Sequence, residues 1–412
     1  MNSMITIASN YIDPKKRGGE YNLTFHTIPH EKVYSRLSDD PIPHPATGSI
    51  KIAATSEEIP DPTSFGEDGD QVRLVVQIQE SPSTKTKEVF ITKGYVRDDG
   101  GWRESPLQVI HVSGELHSRL DGLIETDILS DQSVFFVGFG SVGSTIVRFL
   151  VQSGVKRFHI MDHDRIELCN IARHEARLRD VGRLKVDFAE EDIRQKNPEA
   201  EVHTWPVKSD EKNLELCRRL IRENTLTICT ADSRTCRDLT NYNLIKEGKT
   251  GIFAGCRRRA YGGMVMIVRS GRPPCYNCYT HTLPDEAKDR EIANAEAAEE
   301  IQYSDRPVPI EPGLSLDIDP ISQFTGKLAL QELLRNKPTT LRSLDEDLSD
   351  PLYFWYNRRE NGEDSERFQP LSADPDDVHI LRWIPVQFDP NPHCPTCGDY
   401  LAYMKKIYGL NP

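Results

Sequence analysis

The sequence predicts an α/β fold built on a doubly wound, mostly parallel sheet. Three observations predict it. Val134 to Val137 form an apolar run, short enough to be a buried parallel strand. Gly138, Gly140 and Gly143 follow in G-x-G-x-x-G spacing and lead into a helical pattern with Val142, Ile146, Phe149 and Leu150 on one face. A second strand, Phe158 to Met161, ends at Asp162. Together these make a βαβ unit with a glycine-rich first turn. Such glycines let backbone approach a phosphate, and the helix N-terminus faces its negative charge. Asp162 falls near the roughly 20-residue distance at which a carboxylate holds a ribose hydroxyl.

Alone, this fingerprint fits NAD, FAD or ATP. Asn170, Arg173 and Lys185 narrow the choice, in DHDRIELCNIAR and GRLK. A nicotinamide site needs no such cluster beside its ribose carboxylate. A triphosphate about to be split does, because charge must be neutralised as the phosphates part. The order D-x-D, N-x-x-R, G-x-x-K-V resembles the signature of the ThiF/MoeB and ubiquitin-activating adenylyltransferases. ICTADSRTCRDLTNYN resembles that family's C-T-D-N-x-x-x-R-x-x-x-N segment, and PPCYNCY and HCPTCG resemble its paired zinc knuckles. The resemblance covers about residues 115–400 and implies a Rossmann-like adenylation domain.

Length and composition set the bounds. A chain of 412 residues suggests two or three domains. The expected division is an α+β accessory domain over 1–114, the nucleotide domain over 115–340, and C-terminal strands with a zinc knuckle over 341–412. Hydrophobic residues at 37% and charged residues at 28% describe an ordinary globular protein. The net charge of −13, from 51 basic and 64 acidic residues, argues against nucleic acid as the main partner. No apolar stretch reaches the roughly 18 residues of a membrane span. MNSMITIASNYIDPKKRGG lacks the apolar core of a signal peptide. Nine cysteines, four of them in two C-x-x-C pairs, point to a reducing cytoplasm and a metal rather than to disulfides.

Taken in order, residues 1–114 differ in texture from the rest. TFHTIPHEKVYSRLSDD reads as a strand entering a short helix. Residues 39–70 are rich in Pro, Asp, Ser and Gly and read as loop. QVRLVVQIQ and KEVFITKGYVR alternate like half-buried strands, with PSTK as a hairpin turn. The segment also resembles a JAB-type metallopeptidase module, but HTIPH lacks the H-x-H-P ligand order, so no zinc is assigned there. A docking or dimerisation role is expected instead.

Upstream of the first nucleotide-fold strand, Arg119 stands where the family's arginine reaches across a dimer to the ATP phosphates. A planar, permanently charged fork suits separating phosphates. The resemblance implies that Asp162 holds ribose, Arg173 the phosphates and Lys185 the α-phosphate, with Asn170 beside them. Asp164 serves as a second carboxylate or a turn cap. KVDFAEEDIRQKN is an amphipathic helix, NPEAEVHTWPV a turn and strand, EKNLELCRRLIREN a helix, and LTICTADS a strand running into a loop. Asp232 lies where that strand ends, the edge at which ligands of doubly wound sheets collect. Two compatible roles are open to it: magnesium ligand and N-cap of the following helix. Arg237 and Asn241 are expected to brace the phosphate side.

GIFAGCRRRAYGGMVMIV reads as two strands around a turn, with Arg257, Arg258 and Arg259 on a solvated edge or facing an acidic partner. Cys275, Cys278, Cys394 and Cys397 carry the strongest metal signal. Each C-x-x-C turns two thiolates toward one point, and two such hooks complete a tetrahedron around a structural zinc. Relatives place a thioester-forming cysteine in the segment matching 280–312, which here has none. Ser304 is the candidate for an oxyester, although no activating base is identifiable. DREIANAEAAEE reads as a helix over the site, PGLSLDIDPISQFTGKLALQELLRNKP as a dimer-contact helix, and PLYFWYNRRE and VHILRWIPVQFDP as a small terminal sheet.

The resemblance implies an ATP- and magnesium-dependent adenylyltransferase, expected to be a homodimer, acting on a ubiquitin-like protein with a C-terminal glycine. A bacterial ubiquitin-like conjugation pathway, with a conjugating-enzyme-like partner, is the expected setting. Sulfur-carrier activation for thiamine or molybdopterin, adenylylation of a peptide or tRNA, and a nucleotide-binding scaffold without turnover stay open beside it.

Overall fold

The structure, a computed structural model, describes residues 4–12, 15, 18–28, 33–36, 45–53, 59–80, 88–110, 115–282, 313–343, 346, 348–358 and 380–399. The chain divides into two units, Met1–Arg119 and Leu120–Pro412.

The first unit contains β1 (Met4–Ala8), β2 (Glu20–Ile28), β3 (Val33–Arg36), β4 (Pro45–Ala53), β5 (Val72–Glu80), β6 (Glu88–Asp98), β7 (Gly101–Ser105) and β8 (Leu107–Ile110). They pair in the order β7-β6-β5-β4-β2-β3-β1-β8. Only Pro106 separates β7 from β8, so one extended stretch pairs with β6 along its first half and with β1 along its second. Both edges of the sheet therefore meet on the same stretch, and the sheet closes into a barrel. Proline fits this changeover because it carries no N–H to pair, while its carbonyl accepts from the Ile5 N–H at 2.9 Å. Alternate residues Ile5, Ile7, Ile50, Ile52, Leu74, Val76 and Ile78 fill the interior around Phe25.

This corrects the expected α+β character: the described residues of the unit hold strands and short helical turns only. Where a short helix was expected, Val33–Arg36 is a strand between β1 and β2. Its Val-Tyr pair suits a pleated surface better than a helix. The predicted strands β5 and β6 are antiparallel neighbours. The PSTK turn lies outside the described residues, as does part of HTIPH.

The second unit holds α1 (Thr126–Ser130), β9 (Ser133–Val137), α2 (Ser141–Gln152), β10 (Arg157–Met161), α3 (Lys185–Lys196), β11 (Glu201–Trp205), α4 (Leu214–Glu223), β12 (Leu226–Cys229), α5 (Arg234–Glu247), β13 (Thr250–Cys256), β14 (Gly262–Arg269), α6 (Tyr276–Thr282), α7 (Ser315–Leu334), β15 (Leu352–Tyr356) and β16 (Arg382–Val386). The sheet order is β11-β10-β9-β12-β13-β14-β15-β16. Pairs from β11 to β13 are parallel, and those from β13 to β16 are antiparallel. Alternation along β9 sends Val134 and Phe136 to one face and Phe135 and Val137 to the other, each into its own core. Both faces are thus covered, as a parallel sheet requires.

One expectation is corrected here. The C-terminal strands do not form a sheet of their own, because β15 pairs with β14 and extends the main sheet. The helix expected to meet a second subunit, α7, buries one side within the unit and leaves Leu316 exposed. Ile318, Ile321 and Leu328 are buried, and Ser322 Oγ donates to the Val142 carbonyl of α2 at 3.4 Å.

Candidate functional site

The candidate site lies at the carboxyl ends of β9, β10, β12 and β13. Strand order reverses there, because β10 and β12 flank β9 and open a crevice between their following loops. The three glycines play three different parts. Gly138 has φ +94, and a Cβ there would lie 2.8 Å from the Ala231 nitrogen. A Cβ at Gly143 would lie 2.7 Å from the Gly138 carbonyl and 2.8 Å from Thr230 Oγ1, so α2 sits directly on the loop. A Cβ at Gly140 would meet nothing within 4 Å. The protein itself therefore demands the first and third glycines and leaves space at the second.

Asp162 directly follows β10 and is only 8% exposed. Its Oδ2 accepts the Phe139 N–H at 2.7 Å and its Oδ1 accepts the Asp164 N–H at 2.8 Å. The residue expected to hold ribose thus also anchors the glycine loop, with a second lone pair left on each oxygen.

Lys185 opens α3 and is likewise 8% exposed, not a surface lysine of that helix. Its ammonium lies 2.7 Å from Asp164 Oδ2 and 3.9 Å from Asp162 Oδ2. Burial works against the charge, but Asp162, Asp164 and, further off, Asp232 hold the ammonium well above the ordinary lysine range. Burial also pushes the Asp162 carboxyl up, while Lys185 and two N–H donors pull the other way. We read the pair as ionised, because Lys185 stays charged and both Asp162 oxygens already act as acceptors.

Asp232 is exposed in the loop after β12 and makes no hydrogen bond or ion pair to the described residues. The capping role considered for it belongs to Ser233, whose Oγ accepts the Cys236 N–H of α5 at 3.4 Å. Ser233 directly precedes the helix, so the preference of serine for the cap position could have separated the two residues.

Arg173 is half-buried at the end of the turn Leu168–Ala172. Its guanidinium comes 3.2 Å from where a Cβ on Gly313 would stand, and its charge is felt at Cys256. Asn170 keeps the same turn closed, with Oδ1 accepting the Glu167 N–H at 3.0 Å. Burial pushes the Cys256 thiol, at the end of β13, up to about 12, with Asp232 adding to the effect. Arg119 is exposed in the short turn Ser118–Leu120, as the last residue of the first unit. Ser304 and the helix expected above the site lie outside the described residues.

Arg237 and Asn241, both expected to brace the phosphate side, make different contacts. Arg237 is buried and donates to the carbonyls of Ala231 at 2.8 Å and Ala254 at 3.0 Å, which fixes the Asp232 loop against β13. Asn241 faces the cysteine cluster, accepting the Tyr276 N–H at 3.1 Å and lying 3.5 Å from Cys275 Sγ. One residue carried no recognisable signal: His174, beside Arg173, whose imidazole meets the Phe139 carbonyl at 3.0 Å.

The four cysteines converge. Their sulfurs lie within 4.8 Å of one another, with Cys275–Cys278 at 3.9 Å, Cys275–Cys394 at 3.6 Å and Cys278–Cys397 at 3.3 Å. A tetrahedron with zinc–sulfur bonds of ~2.3 Å has edges of about 3.8 Å, so the cluster could hold zinc. With four thiolates as ligands, no position opens to substrate. Among the described helices, none is long and apolar enough to cross a membrane.

Comparison with known proteins bears on the same region. A family model described as the ThiF family matches residues 116–354. The chain is 28% identical over 160 residues to the adenylyltransferase and sulfurtransferase UBA4 of Lodderomyces elongisporus, covering 38% of this chain and 34% of that protein. It is 26% identical over 198 residues to the ubiquitin-like modifier-activating enzyme 5 of Branchiostoma floridae, covering 44% and 49%. It is 28% identical over 156 residues to the sulfur carrier protein adenylyltransferase of Thermus thermophilus, covering 36% and 56%. The match thus spans between a third and somewhat over half of these relatives. Among solved structures, E. coli MccB with ATP is similar at a TM-score of 0.46 and 16% identity, over 66% of this chain and 68% of that one.

Proposed function

Because the chain belongs to the ThiF family, we propose that it is an ATP-dependent adenylyltransferase that activates the C-terminal carboxylate of a small protein. The carboxylate oxygen forms a bond to the α-phosphorus of ATP, the bond to the β-phosphate oxygen breaks, and pyrophosphate leaves. The product is an acyl-adenylate. The observation that carries this reading is Lys185, buried and charged between Asp162 and Asp164 at the mouth of the glycine loop. A fixed cation of this kind stabilises charge that develops on phosphate in the transition state.

In this reading Asp162 holds ribose through its remaining lone pairs. The loop from Gly138 to Gly143 receives the phosphates against the N-terminus of α2. Arg173 and Lys185 neutralise the phosphates, and Arg119 adds a charge from a second subunit of a homodimer. Asp232 would hold magnesium, which when bound neutralises phosphate oxygens. Its exposure, and its lack of a hydrogen bond or ion pair among the described residues, support that role. Zinc on the four cysteines would be structural.

The substrate that fits this reading is a ubiquitin-like protein ending in glycine, acting in a cytoplasmic bacterial conjugation pathway with a conjugating-enzyme-like partner. The similarity to a sulfur carrier protein adenylyltransferase favours a second reading, in which the same adenylate serves sulfur transfer. ATP–pyrophosphate exchange tests the proposal. Exchange should depend on magnesium and on a purified small protein with a glycine tail. A chain that binds ATP but never exchanges pyrophosphate with such proteins would sink it in favour of a scaffold.

A further inference from the structure

Phe139 is gripped from both sides of its backbone. Its N–H donates to Asp162 Oδ2 at 2.7 Å, and its carbonyl lies 3.0 Å from His174 Nε2. The other ring nitrogen of His174, Nδ1, accepts the Ala176 N–H at 3.0 Å. That contact fixes the tautomer: the proton sits on Nε2, and His174 donates it to the Phe139 carbonyl. A doubly protonated ring would set Nδ1–H against the Ala176 N–H. The ring is 8% exposed and packs edge-on against Phe139, with centroids 5.7 Å apart. Burial holds its pKa down to about 4, so it stays neutral at ordinary pH.

The Phe139 carbonyl shares a planar trans peptide with the Gly140 N–H, and the two point in opposite directions. Holding the carbonyl therefore aims that N–H away from His174. The Gly140 N–H has no acceptor among the described residues, and the space around its Cα is open. We propose that His174 is a positioning residue, which locks the Phe139–Gly140 peptide so that the Gly140 N–H points at the phosphates of the bound nucleotide. It also ties the segment that carries Arg173 to the glycine loop. This inference rests on the nucleotide reading above and goes beyond it by assigning a role to a residue that touches no substrate.

The test compares MgATP with adenosine, which has no phosphates, in direct binding measurements on the full chain. His174→Leu removes the donor at similar volume and should weaken MgATP about tenfold, the scale of one hydrogen bond to a charged group. Adenosine affinity should not move. His174→Gln keeps a donor near the Nε2 position and should retain MgATP affinity within about threefold. If His174→Leu binds MgATP like the wild type, or loses MgATP and adenosine equally, the positioning role is wrong. Nitrogen NMR of the wild-type histidine ring needs no variant: an Nδ1–H tautomer would also overturn the proposal. Wild-type protein that binds no MgATP would instead defeat the nucleotide reading itself.

Discussion

Lys185→Met removes the one cation between two carboxylates and nearly keeps the volume of the side chain. At an effective dielectric of about 20, a pair at 4 Å attracts by roughly 4 kcal/mol, and the Asp164 contact at 2.7 Å is closer still. Burying the charges costs several kcal/mol in return, so deletion of one partner is expected to destabilise by about 3–5 kcal/mol. Most of that loss is the cost of leaving buried Asp162 and half-buried Asp164 without a counter-charge. In the variant, burial and mutual repulsion raise the folded-state pKa of Asp162 further above its unfolded value. The folded state then binds more protons, so the deficit relative to wild type is smallest in acid and grows as pH rises. Urea unfolding of Lys185→Met, Asp164→Asn and the double variant measures the coupling directly. The double variant should be more stable than Lys185→Met alone, because one stranded charge is gone. A Lys185→Met cost below about 1 kcal/mol, or a coupling near zero, would show that the ion pair does not exist as described.

The other predictions concern single features. His174 has a folded pKa of about 4 against an ordinary 6.5 because it is buried, so it contributes stability that is lost as pH falls from 6.5 toward 4. The loss is about 3 kcal/mol in all, and His174→Gln should flatten that part of the stability profile. Asp232→Asn should leave urea stability unchanged within about 0.5 kcal/mol, yet abolish the magnesium-dependent part of ATP binding by calorimetry. Ser233→Ala should cost about 1 kcal/mol through the lost cap of α5, with no selective effect on nucleotide affinity beyond loop loosening. Cys394→Ser should release zinc, as read by metal analysis, and lower the melting temperature; a variant that melts like the wild type would mean the cluster holds no metal.

Much of the second unit was legible because its signals are local. Val134 to Val137, the glycine spacing and the C-x-x-C pairs each declare themselves within a few residues. Contacts between distant segments were not legible. His174 finds its carbonyl 35 positions away in the chain, and nothing about an isolated histidine announces that. Asn241 was expected to brace the phosphate side because it continues the motif that holds Arg237, but its position on the helix turns it toward Cys275. Barrel closure in the first unit depends on two edges meeting at Pro106, a matter of pairing partners rather than strand propensity. The terminal strands read as a separate sheet because α7 intervenes before β15. Sequence distance hid that β14 was waiting for a neighbour.

That wait has a consequence for synthesis. β14 leaves the ribosome well before Leu352–Tyr356, so in the nascent chain its outer edge stays unpaired while the intervening helix emerges. An open edge carrying Met264, Val265 and Met266 is a template for pairing with other chains. Translation that stops short of residue 352 should therefore yield a sticky fragment, not a smaller folded domain.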